Sequence, residues 1–300
     1  MERLPRIPLT AGRHDRAAAR RRDQAWLTEA LGSQAARIIA VRSQGELLVA
    51  PADRLAAIER ELLPETAELT FLGVDPSGAP VFVLDLDAHE LALTDSHTFG
   101  ELRTVGGSLH PDEAAMAVQA IAMVGWHRRH RFCGVCGGPT LVEEAGHSRR
   151  CTACGAQHFP RTDPAVIMIV TDGADRCVLS RRPGAPPNRW TVLSGFVEPG
   201  ETPEEAVVRE VLEEVGVSCR NVHYVGSQPW PFPASLMLGY HAEADYAPLT
   251  VDDELEEARW FTRAEIKQGI EDGSFAFPVS VSISRQLLLA WLNEEAEPSP

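Results

Sequence analysis

The stretch GFVEPGETPEEAVVREVLEEVGV, residues 195–217, limits what this chain can fold into more than any other. Thr202 is suited to cap a helix, Pro203 to the first helical position, and Glu205 completes a capping box three residues after the cap. The stretch therefore predicts a helix that begins after Thr202 and ends near Gly216. Its expected buried face consists of five apolar residues: Val207, Val208, Val211, Leu212 and Val215.

Three acidic residues of this helix, Glu210, Glu213 and Glu214, stand at positions i, i+3 and i+4 and therefore share one face. Clustered carboxylate oxygens suit Mg²⁺ or Mn²⁺, which also bind water and substrate phosphates. A solvated acidic helix is the common alternative. Three further features disfavour that alternative: the glycine-rich loop before the helix, Arg209 and the closing glycine, all in register. Together with the carboxylates they predict a divalent-cation site.

Four of the six cysteines form two C-x2-C pairs separated by fourteen residues: Cys133, Cys136, Cys151 and Cys154. Each C-x2-C turn lets two thiolates reach one ion, and Gly137 and Gly155 follow the turns, where glycine relieves backbone strain. Four thiolates predict a closed, structural Zn²⁺ site. Unligated thiols or a redox pair are the alternative, and nearby histidines could replace one cysteine as a ligand.

The net charge of −15 disfavours a protein that grips nucleic acid over a broad surface, because phosphate binding depends on dense lysine and arginine. No apolar run approaches the roughly 20 residues that span a bilayer, and the first residues contain no apolar core of signal-peptide type. We therefore expect a cytoplasmic protein without a membrane partner, with a zinc site that serves as a structural staple.

Three regions are expected along the chain. Residues 1–125 carry β-rich runs such as RIIAVRS and APVFVLDLD, followed by a helical pattern for which Asp112 is the expected cap, and predict an α+β domain. Residues 126–160 contain the cysteine pairs. Residues 161–297 alternate strands with two helices, the second of them in VSISRQLLLAWLNEE.

The segment SQPWPFPAS, residues 227–235, alternates three prolines with Trp230 and Phe232. Proline fixes φ and removes backbone donors, so the segment is expected to be neither helix nor central strand but a stiff, extended ribbon. Such a ribbon would hold its rings at low entropic cost, and aromatic faces stack on bases with about 1–3 kcal/mol each. Core packing is the alternative, for Phe232 in particular.

Residues 195–217 resemble the Nudix box, G-x5-E-x7-R-E-U-x-E-E-x-G-U with U apolar, at every defined position. SQPWPFPAS is similar to the element that marks the NADH pyrophosphatase branch of that family, in which a zinc ribbon and an extra N-terminal domain precede the box. The resemblance covers the chain well from about Phe132 onward. It implies an α/β fold: a Nudix α/β/α sandwich with a mixed sheet, preceded by a four-cysteine zinc ribbon and an N-terminal α+β domain.

The resemblance implies hydrolysis of a pyrophosphate bond with divalent cations, Mg²⁺ or Mn²⁺. Arg209 is expected to orient the glutamates through a bidentate pair rather than to react. The general base stays open among Glu213, Glu214 and Glu254. The implied cation ligands are box carboxylates, a later carboxylate in DDELEEARWF and one backbone carbonyl: Glu210, Glu214, Glu213 as a third candidate, Glu254 and the carbonyl of Ser194.

The resemblance also implies substrate contacts. Phe159 stands where the family usually has a tyrosine, so stacking survives and any hydroxyl contact is lost. In relatives this ring reaches the partner subunit's site, which implies a homodimer. The implied contacts are Gln228, Pro229, Trp230, Pro231, Phe232, Pro233, Ala234 and Ser235, together with Phe159, Phe196 and Ser284.

Three functions follow from these observations. The first is an NAD(H) diphosphatase that releases nicotinamide mononucleotide and AMP, and the net charge favours this small substrate. The second is removal of the NAD cap from RNA 5′ ends, leaving 5′-monophosphate RNA, by the same site. The third is a non-catalytic nucleotide sensor, although such regulators usually lose box glutamates and none is missing here.

Overall fold

The computed structural model of the chain describes residues 3–4, 6–51, 53–89, 91, 93 and 98–294. It forms two compact units. The N-terminal unit comprises Leu9–Thr162 and Pro229–Ala234, and the C-terminal unit comprises Asp163–Gln228 with the described residues of Met1–Pro8 and Ser235–Pro300. The division into three domains at residues 125 and 160 stays a prediction, and residues 295–297 of the last predicted domain lie outside the described residues.

The N-terminal unit contains a five-stranded sheet in the order β3-β4-β1-β2-β5. Strands β1 and β4 are parallel, and the other neighbouring pairs are antiparallel. The β-rich runs predicted from the sequence correspond to four of these strands, whereas the short fifth strand was not predicted. The strands are β1 (Arg37–Arg42), β2 (Glu46–Val49), β3 (Leu69–Val74), β4 (Pro80–Asp85) and β5 (Thr98–Glu101).

Three α-helices accompany this sheet: α1 (Gln24–Gly32), α2 (Leu102–Val105) and α3 (Pro111–Arg129). The expected Asp112 cap of α3 is wrong. His110 is the N-cap and its ring accepts a hydrogen bond from the Asp112 amide. The Asp112 carboxylate is engaged instead by the guanidinium of Arg13, with Nη2 and Oδ2 2.6 Å apart, so it lies in the first turn without capping the helix.

A separate three-stranded antiparallel sheet follows α3 in the N-terminal unit. It consists of β6 (Thr140–Glu143), β7 (Ser148–Cys151) and β8 (Gln157–His158), in that order across the sheet. The loop before β6 carries Cys133 and Cys136, the end of β7 carries Cys151, and the turn after β7 carries Cys154, so this small sheet is the predicted ribbon.

The C-terminal unit is built on a six-stranded sheet in the order β12-β13-β9-β10-β14, with β11 also paired to β9. Strand β13 runs parallel to β9, whereas β10 and β11 run antiparallel to it, which confirms the expected mixed sheet. The strands are β9 (Asp163–Thr171), β10 (Arg176–Arg181), β11 (Leu193–Phe196), β12 (Cys219–Trp230), β13 (Ser235–Ala244) and β14 (Glu257–Thr262).

Helices cover both faces of this sheet: α4 (Pro203–Val215) one face, α5 (Arg263–Asp272) and α6 (Ile283–Asn293) the other. Along β9, Val166, Met168 and Val170 pack with α4, and the alternate residues Ile167 and Ile169 pack with α5 and α6. This three-layer arrangement confirms the α/β/α sandwich. Helix α5 was not predicted from the sequence. No helix among the residues described above has both the length and the apolar character needed to cross a bilayer.

Helix α4 begins as its sequence predicts. The Thr202 hydroxyl accepts from the amide of Glu205, and the Glu205 carboxylate accepts from the amide of Thr202. The helix ends at Gly216, whose φ of +73° favours glycine. The expected buried face is wrong at Val208 and Leu212, which are exposed, because they lie about 100° around the helix axis from the valines that contact the sheet.

The proline-rich segment forms the end of one strand, a turn and the start of the next strand. Residues 227–230 belong to β12, an edge strand, which agrees with the exclusion of a central strand. Pro231–Ala234 form a turn with a cis peptide bond at Phe232–Pro233, and β13 starts at Ser235. The expected extended ribbon is therefore wrong for Pro231–Ala234, where the chain reverses into the neighbouring strand.

Candidate active site and zinc centre

Arg209 in α4 holds the acidic residues of the box together. Its Nε and Nη2 atoms donate to the two carboxylate oxygens of Glu201, over 2.6 and 2.9 Å. Its Nη1 donates to Glu210 Oε1 and to Glu213 Oε2, over 2.8 Å each. The bidentate partner is thus Glu201 in the loop before α4, a residue to which sequence analysis assigned no role. The hydrogen bonds from Arg209 lower the pKa of Glu201 to about 2.

Glu214 points toward the sheet and is 2% exposed. Among the residues that the structure describes, none hydrogen-bonds to its Oε2, and its Oε1 lies 3.8 Å from Nη2 of Arg182. Burial raises the pKa of Glu214 to about 8. A buried carboxylate is costly unless it is paired or coordinates a cation. The orphaned oxygen therefore fits a site that takes a divalent cation.

Glu210 lies directly against the backbone of Gly195 in β11. A Cβ at residue 195 would be 1.9 Å from Glu210 Cδ, closer than any real contact of a Cβ atom. Burial raises the pKa of Glu210, hydrogen bonding to Arg209 opposes this, and the charges of Glu213 and Glu254 add to it. Residue 195, the first glycine of the box, must therefore lack a side chain, because a Cβ there would overlap the Glu210 carboxylate.

The carbonyl of Ser194, an implied cation ligand, accepts a hydrogen bond of 3.0 Å from Nη2 of Arg182. Arg182 follows β10, and nothing in the sequence distinguished it from other surface arginines. The exposed Glu254 precedes β14, and its amide donates to Asp252 Oδ1. The charge of Asp252 contributes to the raised pKa of Glu214, so this acidic loop acts electrostatically on the glutamate helix.

The glutamates do not converge as the cysteines do. Within the described ranges, only the four cysteines form a group of three or more histidine, cysteine or acidic side chains close enough to share an ion. The carboxylates repel one another because they carry like charges. Arg209 holds Glu210 and Glu213 by hydrogen bonds, and Arg182 attracts Glu214 by its charge. The carboxylates are therefore arranged around arginines.

The zinc centre of the ribbon has the expected geometry. The four sulfur atoms lie within 4.8 Å of one another, and the Cys133–Cys154 and Cys136–Cys151 pairs are 3.7 and 3.5 Å apart. Tetrahedral Zn²⁺ with bonds of about 2.3 Å separates its sulfur ligands by about 3.8 Å. The glycine after each C-x2-C turn has a φ near +75°, as predicted. Four thiolates thus fit a structural zinc ion.

The nearby histidines lie outside the four-sulfur group. His158 Nε2 lies 3.2 Å from Cys133 Sγ, where it supports the thiolate from outside the four-sulfur group. The other three histidines hydrogen-bond to Thr70, Trp126 and Phe71, respectively: His127, His130 and His147. Replacement of a cysteine by a histidine ligand is therefore not supported.

Two of the implied substrate contacts, Gln228 and Ser284, are hydrogen-bonded within the C-terminal unit. Gln228 is fully buried, and its amide bonds only to backbone groups, those of Pro8, Val281 and Ile283, at 2.8 Å each. The buried Ser284 hydroxyl bonds to Thr191 Oγ1 at 2.7 Å. The polar groups of both side chains therefore already have partners within the C-terminal unit, and their contact with a substrate stays a prediction.

The rings of the proline-rich segment pack within the N-terminal unit. Trp230 and Phe232 meet edge to face with centroids 5.2 Å apart, and the Arg103 guanidinium lies 4.3 Å from the Phe232 centroid. Phe232 also lines a cavity of about 420 Å³ together with Pro231 and Pro233. The packing alternative for Phe232 is thus consistent with the structure. Pro229 and Ala234 flank these residues in the same unit.

The remaining candidate rings are solvent-accessible. Phe196, at the end of β11, is 57% exposed, and Phe159, just after the ribbon, is 59% exposed. Ser235, the first residue of β13, is buried. Two large exposed aromatic faces are therefore available for stacking.

Three family models match consecutive parts of the chain. The NADH pyrophosphatase-like rudimentary NUDIX domain matches residues 22–126, the NADH pyrophosphatase zinc ribbon domain matches residues 128–159, and the NUDIX domain matches residues 161–277. These matches follow the order of the N-terminal sheet, the cysteine ribbon and the glutamate-bearing sandwich.

Curated relatives match over most of the chain. The NAD-capped RNA hydrolase NudC of Mycobacterium bovis (strain BCG / Pasteur 1173P2) is 38% identical over 275 residues, 87% of this chain and 88% of that protein. NudC of Mycobacterium tuberculosis (strain H37Rv) gives the same values. The NAD-capped RNA hydrolase NUDT12 of Homo sapiens is 42% identical over 61% of this chain and 43% of its own length. The chain therefore belongs to the NudC-like NADH pyrophosphatase family of Nudix hydrolases.

Proposed function

We propose that this protein is an NAD(H) diphosphatase, which hydrolyses the pyrophosphate bond of NAD(H) to nicotinamide mononucleotide, or its reduced form, and AMP. The observation that carries the proposal is the buried Glu214, whose Oε2 has no partner, on the same helix as the Arg209-bound Glu210. Membership of the NADH pyrophosphatase family supports the substrate class.

The reaction depends on a divalent cation, which we propose is Mg²⁺ or Mn²⁺. Glu210, Glu214, Glu254 and the carbonyl of Ser194 would hold it, with Glu213 as a further candidate. Hard carboxylate and carbonyl oxygens are the donors that these ions prefer. When bound, such a cation neutralises the pyrophosphate oxygens and lowers the pKa of water.

The chain's own residues prepare this site for a charged substrate. Arg209, with its counter-charge Glu201, orients Glu210 and Glu213 through charge-assisted hydrogen bonds. The general base is one of Glu213, Glu214 and Glu254. Substitution of each by glutamine identifies it, because loss of the base removes the acidic limb of the pH–rate profile, where activity rises as the base deprotonates, and also lowers the height of the profile.

We assign substrate stacking to exposed or partly exposed rings. Phe196 and Phe159 present open faces, and Trp230 lies at the end of β12 with one edge against Phe232. Nicotinamide and adenine both offer faces to such rings. Pro229, Pro231, Pro233, Ala234 and Ser235 would shape the pocket through their backbone rather than through polar side-chain groups.

The second proposed activity is removal of the NAD cap from RNA. The relatives from mycobacteria and human are named NAD-capped RNA hydrolases, and cleavage of the cap breaks the same pyrophosphate bond. A shared site would release nicotinamide mononucleotide and leave 5′-monophosphate RNA.

Product analysis tests both activities. Purified protein is incubated with NADH, NAD⁺, ADP-ribose or NAD-capped RNA, each with Mg²⁺ or Mn²⁺. Glu214→Gln removes the buried carboxylate, and Glu271→Gln makes the same chemical change on an exposed residue of α5 as the matched control. We expect wild type and Glu271→Gln to convert NADH to reduced nicotinamide mononucleotide and AMP, and Glu214→Gln to form neither product. Turnover of none of the four substrates would contradict the proposal.

A homodimer is proposed as the assembly, with Phe159 directed at the partner subunit. Its exposed ring on the ribbon supports this proposal. Light scattering of wild type and Phe159→Ala, together with KM for NADH, tests it: we expect a dimer of about twice the 32.7 kDa chain mass and a raised KM in the variant. A monomeric wild type with full activity would contradict it. The cytoplasmic location stays a prediction.

A further inference from the structure

The N-terminal unit contains a cavity of about 490 Å³ to which the proposed hydrolysis assigns no role. It lies where β3, β4 and α3 meet the cysteine ribbon. This volume is within the range of sites that take small organic ligands. Its wall includes Thr70, Asp85, His127, Arg131, Phe132 and Arg149.

Arg149 is a buried cation in this wall and is only 8% exposed. Its Nε and Nη2 donate to Thr140 Oγ1 and O, over 2.7 and 3.0 Å, and its Nη1 lies 2.9 Å from His127 Nδ1. All three partners are neutral acceptors, and no ion pair found within the described ranges includes Arg149. A guanidinium has five N–H donors, so two remain for a ligand.

A second arginine increases the positive charge at the cavity. Arg131 lines the same cavity as Arg149, and its side chain is exposed to solvent. Two guanidinium groups therefore border one cavity. An anion between them would supply the buried guanidinium of Arg149 with a counter-charge.

Among the other charged groups in the wall, Arg128 and Asp85 pair with each other, and Glu68 is exposed. Arg128 hydrogen-bonds to both carboxylate oxygens of Asp85 and lies 3.0 Å from Asp87. Glu68 and Arg131 both line the cavity and are both exposed, so water weakens their charges to a similar degree, and Arg149 remains the one buried charge of the three. Burial lowers the pKa of His127 to about 4, which leaves the ring neutral at pH 7.

An aromatic ring completes the cavity wall. Phe132 is 68% exposed, although it adjoins the tightly folded cysteine turn. A large apolar side chain so exposed beside two arginines offers a stacking face next to an anion site. Base stacking on aromatic rings is tolerant of base identity and contributes substantially to nucleotide binding.

We propose that this cavity binds a nucleotide unit, with its phosphate on Arg131 and Arg149 and its base on Phe132. The unit could come from a free nucleoside monophosphate or from one nucleotide of an RNA chain, because both present the same phosphate and base. The site lies within the N-terminal unit and does not depend on the proposed catalytic function.

Calorimetry tests the site with the full-length, zinc-loaded protein and no added Mg²⁺ or Mn²⁺, so that AMP is not bound through a catalytic cation. AMP, adenosine and inorganic phosphate are titrated separately. Arg131→Gln and Phe132→Ala change exposed side chains of the wall, and Arg220→Gln changes an exposed arginine of the C-terminal unit as the control. Zinc content and thermal unfolding verify that each variant is folded.

We expect AMP to bind more tightly than adenosine or phosphate, and each wall variant to weaken AMP binding by about tenfold, without effect in Arg220→Gln. AMP should also protect Arg131, but not Arg220, from phenylglyoxal, as read by mass spectrometry. Unchanged AMP affinity in both wall variants, or equal labelling of Arg131 with and without AMP, would overturn the proposal.

The source of the nucleotide follows from competition. A 5′-phosphorylated RNA tetranucleotide is added to the AMP complex as a competitor. If it displaces AMP, and if Arg131→Gln and Phe132→Ala weaken its binding as they weaken that of AMP, the result supports the site and assigns it to an RNA chain. Failure of the RNA to displace AMP supports the site and assigns it to free nucleotides. Displacement that is unaffected by both wall variants would count against it.

Discussion

Gly195→Ala should disable the enzyme while leaving its fold intact. The added Cβ would lie 1.9 Å from Glu210 Cδ, about 1.5 Å short of an ordinary 3.4 Å contact. The atom it meets is the end of a flexible side chain, so the carboxylate moves and β11 stays paired with β9. Gly195 also lacks the positive φ that would make alanine strained there. The free energy of unfolding should therefore change by about 1 kcal/mol or less.

The effect on catalysis should be much larger. Misplacement of a functional group by about 1 Å costs roughly 10²-fold in rate, or about 2.7 kcal/mol of transition-state stabilisation. We therefore expect kcat/KM for NADH to fall about 100-fold. Gly134→Ala is the matched control, because its Cβ would meet nothing within 4 Å and its φ is not positive. Its activity should remain within about twofold of wild type.

A double-mutant cycle identifies the cause. In a Glu210→Ala background the three atoms nearest to the Cβ at residue 195 are absent, so Gly195→Ala should add little further loss. A further 100-fold loss in that background would show that the glycine acts through something other than Glu210. Near-wild-type activity of the single Gly195→Ala variant would equally contradict the steric argument.

Three further changes test other parts of the structure. Cys151→Ser should release zinc and destabilise the ribbon, measured by zinc content and thermal unfolding, since two thiolate pairs share one ion. Burial lowers the pKa of His147 to about 4, below its unfolded value near 6.5, so the folded state binds fewer protons at this residue. The contribution of His147 to stability should hold above pH 6.5 and fall by up to about 3 kcal/mol toward pH 4, and the buried His127 and His241, whose pKa values are also lowered to about 4, should destabilise the fold in the same pH window. His147→Gln should therefore reduce this dependence in denaturant titrations without abolishing it. Arg182→Gln should tighten Mn²⁺ binding by up to about fivefold in calorimetry without substrate, because Arg182 competes for the Ser194 carbonyl and Glu214.

Features set by neighbours along the chain were predictable. The start of α4 depends on Thr202 and Glu205, three residues apart, and the zinc centre depends on two C-x2-C turns whose glycines permit positive φ. The mixed sheet and the sandwich followed from resemblance to the Nudix box. Predictions from local sequence failed where a distant residue makes the decisive contact. Asp112 was the predicted helix cap, but its carboxylate accepts a hydrogen bond from Arg13, 99 residues away.

The sequence by itself determined which groups this protein has for its chemistry: the box glutamates, Arg209 and four thiolates in register. Only the tertiary structure decided how those groups behave. It buried Glu214 and left one oxygen without a partner, gave Arg209 a counter-charge in Glu201, and satisfied Gln228 with backbone groups up to 220 residues away. The physical reason is that solvation, charge pairing and hydrogen-bond saturation depend on distances in space, which spacing along the chain specifies only within a turn or a helix.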